Sequence, residues 1–150
     1  MEFRMVLDEV NPAAYEAMMG LESFVMTCGL DPSIIELIKL RVSQMNRSSV
    51  CMNINGRTLY DKGDNFERIV LLDVWRDVPN YSSQEKAALE LAEHITRVAE
   101  LGVPDHVYEQ VRAHFTEQQY VNLVMAINAI NCWNRLEIAA GMTPGCAVEK

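Results

Sequence analysis

A single cysteine, Cys51, lies where the sequence changes from a strongly apolar run to a polar turn, in the stretch NRSSVCMNIN. Ser48 precedes this cysteine by three residues and Asn55 follows it by four. On a helix, side chains at these spacings lie on the same face. A thiol in this setting has two interpretations: a nucleophile assisted by its polar neighbours, or a small residue that fills space in a core.

The position of Cys51 relative to a predicted helix start favours chemistry. If a helix begins at Ser48, the serine hydroxyl caps its first turn and Cys51 occupies the third helical position, where free N–H groups and the positive end of the helix dipole favour a thiolate. This placement predicts a thiol pKa below the usual value of about 8.5. Glu36 lies twelve residues before Ser48, and an antiparallel return of the chain brings it close to Cys51. From the residues alone, both interpretations of Cys51 stay open.

The other metal-ligating and nucleophilic residues show no site pattern. The sequence has no CxxC and no HxxxH motif, so it predicts neither a metal site nor a disulfide framework. We expect Cys132, in a strongly apolar segment, to be inert, and Cys146, after Pro144 and Gly145, to be exposed and a candidate distant resolving thiol. His94 is expected to pair with Glu90 at a solvated helix edge.

Length and charge restrict the class of protein. The 150 residues fit one domain spanning residues 1–150, and 49% of them are hydrophobic, enough for a core. A net charge of −8 argues against nucleic acid and anionic membrane as partners. Neither a signal peptide nor an apolar run long enough to span a membrane is recognisable, so we expect a cytoplasmic protein.

The pattern of capping residues and apolar periodicity predicts an all-α bundle of about seven helices. The predicted helices cover residues 11–28, a segment after the N-cap Asp31, a segment from Ser48 or Ser49 to Lys62, a segment capped by Asp64 over FERIVLLDVW, a segment after the capping box of Ser82 and Glu85, DHVYEQVRAHF, and a long segment from the capping box of Thr116 and Gln119 to Ala140.

The long last helix is apolar nearly all round, which predicts a place at the centre of the domain. Asn128, Asn131 and Arg135 recur on it at three- and four-residue steps. We interpret them as a polar seam that fixes packing register rather than as catalytic groups.

Two segments carry a family resemblance. LIKLRVSQMN with the cysteine region after it, and the closing AINCWNR, resemble the alkylhydroperoxidase D-like branch of the carboxymuconolactone decarboxylase superfamily, over about residues 20–145. The resemblance implies an all-α, oligomeric protein. It also implies peroxide reduction by a CxxC pair at a helix start, with a glutamate twelve residues before the first cysteine and a histidine four after the second relaying protons.

The resemblance assigns roles to four residues of this chain. Glu36 occupies the glutamate position, and Cys51 that of the second cysteine, which attacks the peroxide. Ser48 stands in place of the first, resolving cysteine, and Asn55 in place of the histidine. Because serine forms no disulfide and asparagine is no general base, a two-cysteine cycle at this site is excluded.

We therefore expect an alkylhydroperoxidase D-like antioxidant protein with at most one-cysteine thiol peroxidase activity. Cys51 would attack the peroxide, Glu36 would steer protons, and Ser48 and Asn55 would hydrogen-bond the intermediate. The expected partners are a small hydroperoxide, an external thiol reductant and further copies of the chain in a homo-oligomer, with no cofactor and no metal. One alternative is a catalytically retired helical oligomer that binds a small molecule or partner in the former active-site pocket. The other is a carboxymuconolactone decarboxylase-like lyase.

Overall fold

Nine α-helices and one 3-10 segment form the regular structure of residues 2–146, which are the residues that the computed structural model describes. The helices are α1 (Leu7–Val10), α2 (Pro12–Thr27), α3 (Pro32–Asn46), α4 (Ser49–Asp61), α5 (Phe66–Leu71), the 3-10 segment Leu72–Asp77, α6 (Ser83–Thr96), α7 (Val98–Leu101), α8 (Asp105–Arg112) and α9 (Glu117–Ala139). The all-α prediction is confirmed. The count exceeds the expected seven because two four-residue helices, α1 and α7, have too few residues to show a periodicity.

Local capping sets most helix starts as the sequence predicts. Asp31 caps α3, whose first residue is Pro32, and Ser82 and Thr116 form complete capping boxes at α6 and α9. The exception is α5, where Asn65 and not Asp64 is the N-cap. The carboxylate of Asp64 instead accepts hydrogen bonds from the Asn65 N–H and from Arg68.

The segment after α5 is not a continuous helix. The 3-10 segment contains a kink at Val74, whose φ of −113° is not helical. Residues three apart align in a 3-10 helix, so Leu72 and Trp75 both point into the core. The indole N–H of Trp75 donates to Glu93 Oε1 at 2.9 Å, which fixes this segment against α6.

Helices α3 and α9 share the centre of the domain: α9 packs against α2, α3, α4, α6 and α8, in accord with its predicted central place, and α3 is the more enclosed of the two. Helix α3 packs against α4, α6 and α9 and buries nine of its fifteen residues. Two of them are charged: Glu36 pairs with Lys62, and Lys39 pairs with Glu22. On α9, Val121 remains exposed although it is apolar. The charged residues of α3 suggest an exposed helix in the sequence, but Glu36 and Lys39 are buried because each forms an ion pair.

A tight reversal joins α3 to α4 and places the cysteine. Arg47 adopts the left-handed conformation with φ of +57°, and the N–H of Ser48 donates to Ser43 O at 3.0 Å. Helix α4 consequently starts immediately after α3 ends and packs back against it. Among the helices of residues 2–146, none is long and apolar enough to cross a membrane.

Candidate active site

The thiol of Cys51 contacts a carboxylate that the sequence pattern did not indicate. Cys51 Sγ donates to Glu137 Oε2 at 2.8 Å, and 86 positions separate the two residues in the chain. Cys51 is buried in the first turn of α4, whereas Glu137 lies in the last turn of α9. The approach of these two helix ends, not a local motif, creates the contact.

Ser48 connects the helix start to the same carboxylate. As predicted, Ser48 is the N-cap of α4, and its Oγ accepts the N–H of Cys51 at 3.4 Å. The hydroxyl of Ser48 also donates to Glu137 Oε2 at 3.3 Å. The serine and the cysteine therefore both donate a hydrogen to one oxygen of Glu137, which is the arrangement that an ionised carboxylate accepts.

The environment of Cys51 stabilises the neutral thiol. Burial, the hydrogen bond to Glu137 and the negative charge of Glu137 raise the pKa of Cys51 from 9.0 to about 12, and hydrogen bonds from Ser48 and Asn134 offset only part of this rise. The prediction of a lowered pKa is wrong. The partial positive charge of a helix start is outweighed by burial together with a full negative charge beside the sulfur.

Glu137 is itself in an unfavourable setting for an ion. Burial raises the pKa of its carboxyl group above 4.5, and the hydrogen bonds from Cys51 and Ser48 oppose that rise without cancelling it. Within residues 2–146, the structure shows no cation paired with Glu137. A carboxylate with a raised pKa next to a thiol is chemically suited to accept the thiol proton.

Three of the four predicted site residues face a common cavity. Glu36, Cys51 and Asn55 line a cavity of about 270 Å³, together with Tyr15, Glu22, Lys39, Ile54, Thr58, Ile130, Trp133 and Glu137. Glu36 is buried and its Oε1 pairs with Lys62 Nζ at 3.2 Å. The predicted proximity of Glu36 and Cys51 thus takes the form of a shared cavity, and the hydrogen-bond partner of Glu36 among the described residues is Lys62.

Asn55 belongs to a buried network of polar side chains behind the thiol. Its Nδ2 donates to Ser43 Oγ at 3.5 Å, and Asn134 Nδ2 donates to the same oxygen at 3.1 Å. Asn46 donates to both Asn131 and Asn134 at 2.9 Å. These bonds tie α3, α4 and α9 together and hold the wall on which Cys51 and Asn55 lie.

The polar seam of α9 is displaced from the predicted one. Asn131 is buried as expected, but Asn128 and Arg135 are exposed, and the inward face continues through Asn134 to Glu137. The sequence holds a signal for this face, because Asn131, Asn134 and Glu137 follow one another at three-residue steps on an apolar helix. Only the packing of α9 shows which of the two polar series points inward.

The remaining candidates are placed as follows. Cys146 is exposed, as predicted, and Cys132 is partly buried. His94 does not pair with Glu90; its Nδ1 lies 2.9 Å from the backbone oxygen of Gly102. Within residues 2–146, no cluster of three His, Cys, Asp or Glu side chains is placed to hold a metal ion.

Similarity to known proteins identifies the family. The model of the carboxymuconolactone decarboxylase family matches residues 12–94, and the uncharacterized protein YdfG of Bacillus subtilis is 43% identical over 133 residues, covering 89% of this chain and 90% of YdfG. The chain belongs to the carboxymuconolactone decarboxylase family. The family match covers Glu36, Ser48, Cys51 and Asn55, whereas Glu137 lies beyond its end.

Solved structures place this family member in the alkylhydroperoxidase D-like branch. ATU0492 of Agrobacterium tumefaciens, a protein of unknown function described as a candidate antioxidant defence protein AhpD, superposes with a TM-score of 0.92 at 36% identity, covering 95% of this chain and 99% of that one. The debrominase Bmp8 shares the fold with a TM-score of 0.77 at 14% identity, covering 90% of this chain and 73% of its own. Proteins of this fold therefore differ in their reactions, and the fold alone does not define the reaction of this chain.

Proposed function

We propose that this family member reduces hydroperoxides by one-cysteine chemistry at Cys51, with Glu137 as the base that takes the thiol proton. The observation that supports the proposal is the 2.8 Å contact between Cys51 Sγ and Glu137 Oε2 beside a cavity of about 270 Å³. A nucleophile hydrogen-bonded to a base next to an open cavity is the arrangement that covalent catalysis requires.

The reaction starts from the neutral thiol. As the sulfur of Cys51 attacks the outer oxygen of the hydroperoxide, the O–O bond breaks and the S–H proton passes to Glu137 Oε2. The carboxyl group of Glu137 then returns this proton to the departing alkoxide, which leaves as an alcohol. The sulfur has been oxidised to a sulfenic acid and the peroxide reduced to an alcohol. The raised pKa of Cys51 is compatible with this step, because the proton leaves during the attack and not before it.

An external thiol then completes the cycle. One thiol condenses with the sulfenic acid of Cys51, releasing water and forming a mixed disulfide, and a second thiol displaces Cys51 as a free thiol. In this scheme Ser48 orients the thiol and Glu137, and the amide of Asn55 offers a hydrogen bond to the oxygen added to the sulfur. Glu36, paired with Lys62, exchanges protons with water in the cavity.

The test is whether Cys51 turns over peroxide. Purified protein with cumene hydroperoxide and dithiothreitol is expected to consume the peroxide, and dimedone is expected to trap one sulfenic acid, at Cys51. Cys51→Ala should abolish both signals, whereas Cys132→Ala, the matched control on α9, should keep them. Unchanged consumption in Cys51→Ala would show that the proposed site is not the reacting one.

A second candidate function is the binding of a small molecule in the same cavity by a protein that has lost catalytic activity. The observation that favours it is the pKa of about 12 at Cys51, since it leaves few thiolates at neutral pH. If this function is correct, some members of a library of uncharged aromatic compounds should bind and raise the melting temperature. The rise should be the same for the natural protein and for Cys51→Ala, and neither protein should consume peroxide.

A further inference from the structure

Within residues 2–146, the ionised groups around the cavity are paired with one exception. Lys39 forms an ion pair with Glu22, which also accepts the indole N–H of Trp133 at 3.3 Å. Glu36 forms its ion pair with Lys62. Glu137 has the thiol of Cys51 and the hydroxyl of Ser48 as its partners, and no ion pair to it occurs in the part of the chain from residue 2 to residue 146. Among residues 2–146, the negative charge beside the reacting sulfur is therefore one that no cation compensates.

Four side chains in the wall of this cavity are apolar or aromatic. Tyr15, Ile54, Ile130 and Trp133 line the cavity, and the ring of Tyr15 meets that of Trp133 edge-to-face at 5.5 Å between centroids. A volume of about 270 Å³ corresponds to roughly nine water molecules, hence to a guest of about ten non-hydrogen atoms. Such walls strengthen the field of a carboxylate, because little water screens it.

We propose that Glu137 is a specificity-determining residue that makes Cys51 accessible to small uncharged or cationic reactants and closes it to anionic ones. The consequences of this charge selection for catalysis rest on the proposed function. In catalysis the selection applies both to the hydroperoxide and to the reducing thiol. The hydroperoxide would be an uncharged alkyl or aryl compound, and the reducing thiol would be one without a negative charge near its sulfur. The charge discrimination itself is a property of Cys51 and does not require turnover.

The expected size of the effect follows from Coulomb's law. A negative group on a reagent comes within about 5–6 Å of Glu137 when its reactive atom meets Cys51 Sγ, and at an effective dielectric constant of about 20 the repulsion lowers its rate by about tenfold or more. The effect should weaken as salt is added, since added ions screen the partly open cavity. A cationic reagent of the same size should react faster than the neutral one.

The experiment uses three methanethiosulfonate reagents of similar size, one with an ammonium group, one with an uncharged ethyl group and one with a sulfonate group. Labelling rates at Cys51 and at the exposed Cys146 are measured at pH 8 by peptide mass spectrometry. Because Cys146 lines a second cavity together with Glu137, the correction for the intrinsic reactivity of each reagent comes from Cys51 itself in the protein unfolded by urea. We expect the sulfonate reagent to be at least tenfold slower than the ethyl reagent at Cys51 after this correction, and the difference to shrink in high salt.

Variants assign the effect to Glu137. Glu137→Gln should bring the corrected ratio of the sulfonate and ethyl rates close to one, and Glu137→Asp, which keeps the charge, should preserve the discrimination. If a variant does not fold, the salt dependence of the natural protein still tests whether charge sets the labelling rates. Equal corrected rates for the three reagents in the natural protein, or labelling of Cys146 with none of Cys51, would overturn the proposal.

A peroxide comparison separates this proposal from the proposed function. Cumene hydroperoxide with an uncharged carboxamide on its ring should be consumed at least tenfold faster than the equally large compound with a carboxylate there, and Glu137→Gln should reduce that ratio. Discrimination among the labelling reagents with no consumption of either peroxide would support the charge selection and refute the peroxidase function. Equal consumption of both peroxides, with equal labelling rates, would support the peroxidase function and refute the charge selection.

Discussion

Cys51 Sγ and Glu137 Oε2 lie 2.8 Å apart, one at the start of α4 and the other at the end of α9. The carboxylate has two opposite effects on the sulfur. It accepts a hydrogen bond from the thiol, as a base in contact with its acid does, and its charge opposes the accumulation of a thiolate. At rest, therefore, the site holds a neutral thiol with its proton acceptor already in contact.

These two effects predict that Glu137→Gln changes two rates in opposite directions. Removal of the charge lowers the pKa of Cys51, so labelling by an uncharged reagent at pH 8 should rise about tenfold, the equivalent of one pKa unit. Removal of the base should lower kcat/KM for an uncharged hydroperoxide by about 10²-fold. Glu100→Gln, on an exposed pair with Arg97, is the control and should change neither rate. A rise of both rates would mean that Glu137 acts only as a repelling charge.

Glu137 also predicts an unusual pH dependence of stability. Its folded-state pKa is raised above 4.5, so folding favours the protonated form and the free energy of unfolding falls as the pH rises through the folded pKa. Glu137→Gln should raise the free energy of unfolding at pH 7 by on the order of 1 kcal/mol. Below the unfolded pKa this gain should vanish. Urea titrations of both proteins at pH 4 and pH 7 measure it, and an equal difference at the two pH values contradicts the assignment.

Glu93 should behave in the opposite way. Burial raises its pKa, but hydrogen bonds from Trp75, Arg76 and Arg41 outweigh burial and hold the pKa below 4.5. Its contribution to stability is therefore present above the unfolded pKa and is lost as the pH falls through the folded one. Glu93→Gln should lower the free energy of unfolding at pH 7 by about 1–3 kcal/mol, because Arg41 loses its better buried ion-pair partner and keeps the exposed Asp73. A loss below about 0.5 kcal/mol would show that the cluster contributes only as much as an exposed ion pair does.

The parts of the site that depend on neighbouring residues were predictable from the sequence. The N-cap at Ser48 and the position of Cys51 in the first turn follow from side chains three residues apart, and they are confirmed. The reversal at Arg47 then brings Glu36 and Cys51 to one cavity. Each of these relations lies within twenty residues of chain, where capping and helix periodicity decide the geometry.

The parts that depend on α9 were not predictable in the same way. Periodicity allowed two polar series on this helix, and only its packing shows that Asn134 and Glu137 face inward while Arg135 does not. The sign of the pKa shift at Cys51 depends on that choice, since the helix start alone favours a thiolate. A single carboxylate from a distant segment reversed the electrostatic prediction.

Exposed apolar side chains on α4 and α5 lead us to expect a homo-oligomer. Tyr60, Phe66 and Val70 are large and more than half exposed, and Phe66 retains 69% of its accessible surface. Light scattering at micromolar concentration should give at least twice the monomer mass of 17.0 kDa. Phe66→Asp with Val70→Asp should lower the mass, and Val98→Asp, an exposed position on α7, should not. A monomer mass for the natural protein would refute the expectation.

The last prediction concerns the two positions where the chain departs from the family's pattern: Ser48 in place of the first cysteine of CxxC, and Asn55 in place of the histidine. Ser48 and Cys51 both bond to Glu137 Oε2, and Asn55 lines the same cavity as Cys51. In Ser48→Cys the new thiol lies one helical turn from Cys51, within reach of a disulfide if the first turn of α4 adjusts. Asn55→His adds a base with an unperturbed pKa of about 6.5 on the wall of the cavity.

We expect the double variant Ser48→Cys, Asn55→His to form a reversible disulfide with Cys51 and to consume peroxide faster than the natural protein when a dithiol is supplied. Each single variant should gain less, because the resolving thiol and the base act in different steps. Mass spectrometry of the oxidised protein and dithiol-dependent turnover are the measurements, with Cys51→Ala in the double variant as the control. A folded double variant with neither disulfide nor rate gain would show that α4 no longer holds positions 48 and 55 in the geometry of a two-cysteine site around Cys51. Only the one-cysteine reaction with an external thiol, which uses neither position as a resolving thiol or a base, would then be open to Cys51.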